Sequence, residues 1–220
     1  MRFIKTTLTI LIVSLAAAAA GAAADKPQNG VEYQVLTTPQ PAQSRGDQVE
    51  VIEFFSYSYP LCRSFDQELV KWAGANEGKV VFKRIPANLL SSEEPHPRMY
   101  YALTKLGKLD ELHPKIFQAI LDTRRRLSTD TGIADFMVSR GLDRKEFTDV
   151  YNSFSVTTKA KATERSLQYY SITEVPAVVV NGAYLTSPSM AAPGKKSASE
   201  AIADTLKVVE FLIDRSRKPR

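Results

Sequence analysis

The stretch Tyr59-Pro60-Leu61-Cys62 decides how this chain is interpreted, and it follows shortly after the apolar run VIEFF at residues 51–55. The run is rich in β-branched and aromatic residues, which predicts a buried central strand. Pro60 suits the first turn of a helix, because its missing N–H would have no partner there in any case. A strand, then a short polar turn, then a helix that opens with x-Pro-x-Cys is an arrangement typical of a dithiol active site. The first position of such a site should hold a second cysteine, and here it holds Tyr59.

The cysteine count limits the chemistry. Cys62 is the only cysteine among the 220 residues, so the chain cannot close an internal disulfide. Tyr59 does not replace the missing thiol, because a phenol cannot enter a disulfide. Two interpretations of Cys62 stay open. It is either a small buried hydrophobic residue one turn inside a helix, or a monothiol that forms mixed disulfides.

Residues 1–24 are predicted to be a signal peptide. Arg2 and Lys5 give a positive start, residues 8–15 are mostly apolar, and residues 16–24 are rich in alanine. The apolar segment is shorter than a typical membrane-spanning helix. We therefore expect export to the periplasm, with an uncleaved membrane anchor as the alternative.

Charge and composition argue against two classes of function. The net charge is +5, and the basic residues are interleaved with acidic ones except at residues 124–126. Nucleic-acid binding is not predicted, because it calls for a larger basic surface. His96 and His113 each precede a proline and are expected to be exposed, and no Cys/His cluster has the spacing of a metal site. The sequence predicts neither a metal nor another cofactor.

The order of predicted elements indicates an α/β protein with a helical block inside it. A helix is predicted from Pro60, a helical region without strand signals from Pro97 to Tyr170, a loop at 187–197, and a terminal helix at 198–215. Asn181-Gly182 predicts a hairpin turn. Strands are predicted at residues 31–36, 49–57, 79–85, 175–180 and 183–185.

Several segments together resemble the DsbA family of periplasmic dithiol oxidases. They are EFFSY at 53–57, the x-Pro-x-Cys turn, the helical block, YNSF at 151–154, and VPA at 175–177 ahead of Asn181-Gly182. The resemblance covers roughly residues 31–216. It implies a thioredoxin fold with an inserted helical domain. Residues 25–87 and 156–220 would form the two parts of the thioredoxin-fold domain, and residues 88–155 the insertion.

The resemblance also implies roles at the turn. Tyr59 stands in the place of the attacking cysteine, Cys62 in that of the resolving cysteine, and Leu61 where the family often has histidine. Glu53 would be the buried carboxylate beneath the site, a proton carrier for the resolving thiol. Burial would raise its pKa through desolvation. The alternative for Glu53 is an ion pair with a nearby base such as Lys83.

A second implied site binds peptide. Pro176 would be a cis-proline, and Val175 before it would pair its backbone with an extended substrate. Tyr57, Tyr59 and Leu61 are expected to add apolar surface beside that edge.

These observations predict an exported thiol:disulfide interchange family protein that is inactive as a dithiol oxidase. Its expected task is to bind unfolded or extended polypeptide, as a chaperone or specificity factor, and a membrane redox partner is a further candidate. One alternative is a monothiol oxidoreductase that acts through Cys62 by mixed disulfides. The other is a glutathione-using isomerase or transferase relative, in which Ser58 or Tyr59 holds a substrate thiolate.

Overall fold

The structure is a computed structural model that describes residues 26–43, 46–89, 95–125, 127–194 and 197–217. The predicted signal peptide at 1–24 lies outside these residues. None of the helices in the described ranges is both long and apolar enough to cross a membrane.

Within the described residues, a mixed sheet of five strands forms the centre of the molecule. Its spatial order is β1-β5-β4-β2-β3, with β2 and β3 parallel and the other neighbours antiparallel. The interior strand β2, between β4 and β3, is buried along its whole length, which explains why its sequence is a nearly continuous apolar run. The strands are β1 Gln34–Val35, β2 Val49–Phe55, β3 Val80–Pro86, β4 Ala177–Val180 and β5 Tyr184–Thr186.

Helices cover both faces of the sheet and extend beyond one of its ends. The helices of the described ranges are α1 Pro60–Ala75, α2 His96–Lys105, α3 Leu109–Leu121, α4 Asp130–Val138, α5 Arg144–Tyr151, α6 Phe154–Tyr169, α7 Pro188–Ala191 and α8 Ala198–Arg217. Because successive strand residues point to opposite faces, Val51 packs with α1 and α8. Its neighbour Ile52 packs with Tyr170 and Ile172, which follow α6.

The inserted helices build a separate core that reaches the end of β2. Helices α2 to α6 lie between β3 and β4 in the chain. Their buried side chains form one cluster with Phe55, Tyr57 and Cys62. The α/β thioredoxin fold with a helical insertion is therefore confirmed. The boundaries at residues 87 and 155 stay a prediction, and α6 continues past the second of them to Tyr169.

The hairpin between β4 and β5 depends on Gly182. Asn181 and Gly182 have φ values of 51° and 62°, and the Ala183 N–H donates to the Val180 carbonyl at 3.1 Å. A Cβ atom at Gly182 would lie 2.1 Å from the carbonyl oxygen of Gln40. Glycine is required here by its backbone conformation and by the close approach of another chain segment.

Two local predictions need correction. The predicted loop at 187–197 contains the single helical turn α7, whose first turn is capped by the Ser187 side chain. One turn is too short to show a hydrophobic period. The strand predicted at 31–36 is only two residues long, because β1 pairs with β5 at Gln34 and Val35 alone.

Candidate functional site

The turn after β2 presents a phenol where a thiol was expected. Tyr59 is the N-cap of α1, with φ −109° and ψ 117°, and Pro60 opens the helix. The N–H of Cys62 donates to the Tyr59 carbonyl at 3.0 Å. The side chain of Tyr59 is 47% exposed. The position that would meet an incoming disulfide is therefore at the surface, but it carries no sulfur.

The one thiol of the chain lies in the interior. Cys62 is fully buried, and its Sγ accepts a hydrogen bond from the Ser56 N–H at 3.4 Å. It belongs to the cluster of buried side chains that the inserted helices form with the end of β2. This environment is the one expected for a structural cysteine, and it keeps the sulfur away from a disulfide in solution.

Beneath the turn, two carboxylates share one guanidinium. Glu53 is fully buried, and Asp66 of α1 is 7% exposed. The Arg84 Nε lies 2.5 Å from Asp66 Oδ1 and 3.5 Å from Glu53 Oε2. Arg84 thus binds Asp66 directly and Glu53 more loosely.

The ion pair suggested between Glu53 and Lys83 is wrong. Strands β2 and β3 are parallel, with Glu53 opposite Arg84 and Ile52 opposite Lys83. Since neighbours in a strand point to opposite faces, Lys83 lies on the other face, where its Nζ is 2.5 Å from Glu50.

The two carboxyl groups are shifted in opposite directions in pKa, Glu53 mainly by burial and Asp66 mainly by its contact with His113. Burial and the negative charge of Asp66 raise the pKa of Glu53 well above its ordinary value, more than Arg84 lowers it. Burial also acts to raise the pKa of Asp66, but its contacts with His113 and Arg84 outweigh burial and lower it. As a carboxylate, Glu53 has no hydrogen bond to either oxygen within the described residues. Of the two carboxyl groups, Glu53 therefore keeps its proton to the higher pH.

A buried hydrogen-bonded chain connects Tyr57 to this pair. The Tyr57 hydroxyl lies 2.6 Å from His113 Nδ1, and His113 Nε2 lies 3.3 Å from Asp66 Oδ1. Burial raises the pKa of Tyr57 well above its ordinary value and lowers the pKa of His113, although Asp66 partly opposes the second shift. Tyr57 therefore donates to a neutral imidazole, whose Nε2–H donates to Asp66.

Three expectations change as a result. His96 and His113 are each only 3% exposed, not at the surface as predicted. An X–Pro pair was taken as a sign of exposed structure, but His96 begins α2 and Pro114 lies inside α3. Tyr57 is 1% exposed. Its ring is in the core, so Tyr57 cannot supply the exposed apolar surface that was expected of it, whereas Tyr59 is exposed and Leu61 half-buried.

The turn before β4 has the predicted backbone form. The Val175–Pro176 peptide bond is cis. Val175 is half-buried and packs against the cluster that includes Tyr57 and Cys62. Among the described residues, no hydrogen bond uses the N–H or C=O of Val175. Within the described residues, its backbone N–H and C=O thus have no protein partner.

Sequence reasoning missed Asp66, Arg84 and His113. Asp66 lies four residues after Cys62 on the buried face of α1, a spacing that places the two on one side of a helix. His113 sits among the buried residues of α3, so its apolar neighbours were a usable signal. Arg84 needed the register of β2 and β3. In the described part of the chain, no group of three or more His, Cys, Asp or Glu residues could hold a metal ion.

Comparison with known proteins places this chain in a family. Residues 75–201 match the family model of the DSBA-like thioredoxin domain. The chain is 35% identical over 213 residues to the thiol:disulfide interchange protein DsbA of Burkholderia cepacia, covering 97% of this chain and 96% of the relative. It is 31% identical over 217 residues to DsbA of Pseudomonas aeruginosa, covering 99% and 98%. The crystal structure of Pseudomonas aeruginosa DsbA matches 86% of this chain and 93% of its own, with a TM-score of 0.76 and 30% sequence identity. The chain therefore belongs to the DsbA family of thioredoxin-fold proteins.

Proposed function

We propose that this protein is a periplasmic DsbA-family member that does not oxidise dithiols and instead binds extended polypeptide without forming a covalent bond. Its role would be that of a chaperone or specificity factor. The observation that carries the proposal is a Val175 backbone that lacks a hydrogen-bond partner among the described residues, together with the exposed Tyr59 at the head of α1.

The positions of Tyr59 and Cys62 support the loss of oxidase activity. Dithiol exchange needs an exposed attacking sulfur and a second sulfur to resolve the mixed disulfide. Tyr59 supplies no sulfur, and Cys62 is fully buried. The monothiol alternative would require α1 to open before each reaction. A membrane redox partner is a candidate only under that alternative, because noncovalent peptide binding involves no redox step.

The backbone of Val175 supports peptide binding. Val175 lies in the loop before β4, an interior strand, so a bound chain would pair with free backbone groups at the end of the sheet. As in strand addition, main-chain hydrogen bonds would supply affinity and side-chain pockets would supply specificity. Val175 offers a donor and an acceptor immediately before the cis bond that leads into β4. Tyr59 is exposed and Leu61 is half-buried, so both can contact apolar side chains of the bound segment.

The test measures the affinity of an extended, cysteine-free peptide. Val175→Pro removes the donating N–H and should weaken binding about two- to tenfold, the value of one hydrogen bond. Val175→Ala keeps the N–H and serves as the matched control. Cys62→Ser keeps an acceptor for the Ser56 N–H and should bind as well as the wild type.

A second arm does not depend on the folding of any variant. The same peptide, N-methylated at alternate residues, cannot pair along one edge and should bind more weakly to the wild-type protein. Absence of binding to the unmodified peptide would refute the proposal. Loss of binding in a folded Cys62→Ser variant would replace it with the monothiol alternative.

A further inference from the structure

In the loop before the cis-proline, the carboxylate of Glu174 accepts hydrogen bonds from two serines that follow β5. The Ser187 hydroxyl donates to Glu174 Oε1 at 2.5 Å, and the Ser189 hydroxyl donates to the same oxygen. Ser187 is 2% exposed, and its Oγ also accepts from the Met190 N–H at the start of α7. Ser187, which is buried and caps α7, thus fixes the side chain of Glu174.

Glu174 itself remains exposed. Among the described residues, its Oε2 makes no hydrogen bond and its carboxylate makes no ion pair. The cation nearest the start of α1 in the sequence, Arg63, is already held by both oxygens of Asp122 at 2.8 and 2.9 Å. The surface next to Val175 therefore presents a fixed negative charge.

The position of this charge relative to a bound peptide follows from the chain order. Glu174 directly precedes Val175, so its anchored carboxylate lies within one residue of the backbone that the proposed function assigns to peptide pairing. A long cationic side chain next to the paired peptide residue can approach this carboxylate, and opposite charges attract while like charges repel. A carboxylate that is already fixed also loses little side-chain freedom when it meets a cation.

We propose that Glu174 makes the binding surface around Val175 selective for extended polypeptides that carry Lys or Arg next to the residue that pairs with the Val175 backbone. This inference rests on the proposed function, because it assigns a class of client to the same surface. Ser187 and Ser189 act as positioning residues that hold the carboxylate in place.

The experiment compares three peptides with a Val/Thr host sequence, in which alternate residues are Lys, Gln or Glu. At low salt the wild-type protein should bind the Lys peptide about two- to fivefold more tightly than the Gln peptide, and the Glu peptide more weakly by a similar factor. The net charge of the chain is +5, so nonspecific attraction would favour the Glu peptide instead. The preference should shrink near 1 M NaCl, where the Debye length is about 3 Å.

Two variants locate the effect. Glu174→Gln keeps an oxygen for the two hydroxyls but removes the charge, and the ratio of affinities for the Lys and Glu peptides should fall by about the factor seen in the wild type. Glu77→Gln removes the same charge beyond the far end of α1, about 24 Å from its start, and should leave that ratio unchanged.

The possible failures are distinct. If the wild-type protein binds all three peptides equally, or if Glu174→Gln keeps the full preference, the charge inference is refuted and the proposed function stands. If none of the three binds, the proposed function fails and the inference falls with it.

Discussion

The hydrogen-bonded chain beneath the turn should contribute measurably to stability, and Tyr57→Phe isolates that contribution. The substitution removes only the hydroxyl. The ring keeps its edge contacts with Phe55 and Phe117, whose ring centroids lie 5.0 and 4.9 Å from that of Tyr57. It leaves Nδ1 of a neutral, buried His113 without its donor, which lies 2.6 Å away in the wild type. An orphaned buried acceptor costs about 1–3 kcal/mol, so the free energy of unfolding should fall by that amount.

Urea denaturation, monitored by circular dichroism, measures this loss of free energy. In thermal unfolding, each kcal/mol should lower Tm by about 2–4 °C in a chain of this size. Tyr100→Phe is the matched control. That hydroxyl is also in the core, but it reaches the Arg84 carbonyl only at 3.4 Å, so its removal should cost less than about 1 kcal/mol. A Tyr57→Phe variant as stable as the wild type, or no less stable than Tyr100→Phe, would refute the reasoning.

Three further changes have defined outcomes. Tyr59→Cys should restore a redox-active pair with Cys62, measured as multiple-turnover oxidation of a dithiol peptide in the presence of a disulfide oxidant; an inert variant would mean that the turn lacks the right geometry. The pKa of Glu53 is raised above 4.5 in the folded protein, so its ionisation costs stability as the pH rises. The stability of Glu53→Gln relative to the wild type should therefore increase from about pH 4.5 upward in unfolding titrations, and a constant difference would contradict the shift. Gly182→Ala should destabilise by at least about 1–3 kcal/mol, because it adds a clash to a positive φ. Gly74→Ala, in open space on α1, should be neutral or stabilising by comparison.

Features encoded in short stretches of sequence were predictable. The apolar run of β2 signalled a buried strand, Pro60 marked the start of α1, and Asn181-Gly182 marked the hairpin. The cis bond before Pro176 followed from family resemblance. Each of these depends on a residue type whose backbone or burial preference acts within a few positions.

Features that depend on how separate elements meet were not predictable. The pairing of Glu53 with Arg84 was missed because it needs the parallel register of β2 and β3. The burial of His113 depends on which face of α3 meets the core, and the preceding-proline signal obscured it. The inward position of Tyr57 depends on its contacts with the same helix, a hydrogen bond to His113 and a ring contact with Phe117.

The central claim is that this site holds polypeptide without using its thiol. The most direct measurement compares the Kd of one extended peptide that contains a cysteine with that of its serine counterpart, on the wild-type protein without reductant. Because Cys62 is fully buried and Tyr59 occupies the exposed position, the two Kd values should agree, and no mixed disulfide should appear on a non-reducing gel. Binding that requires the peptide cysteine, together with a covalent adduct at Cys62, would contradict the account.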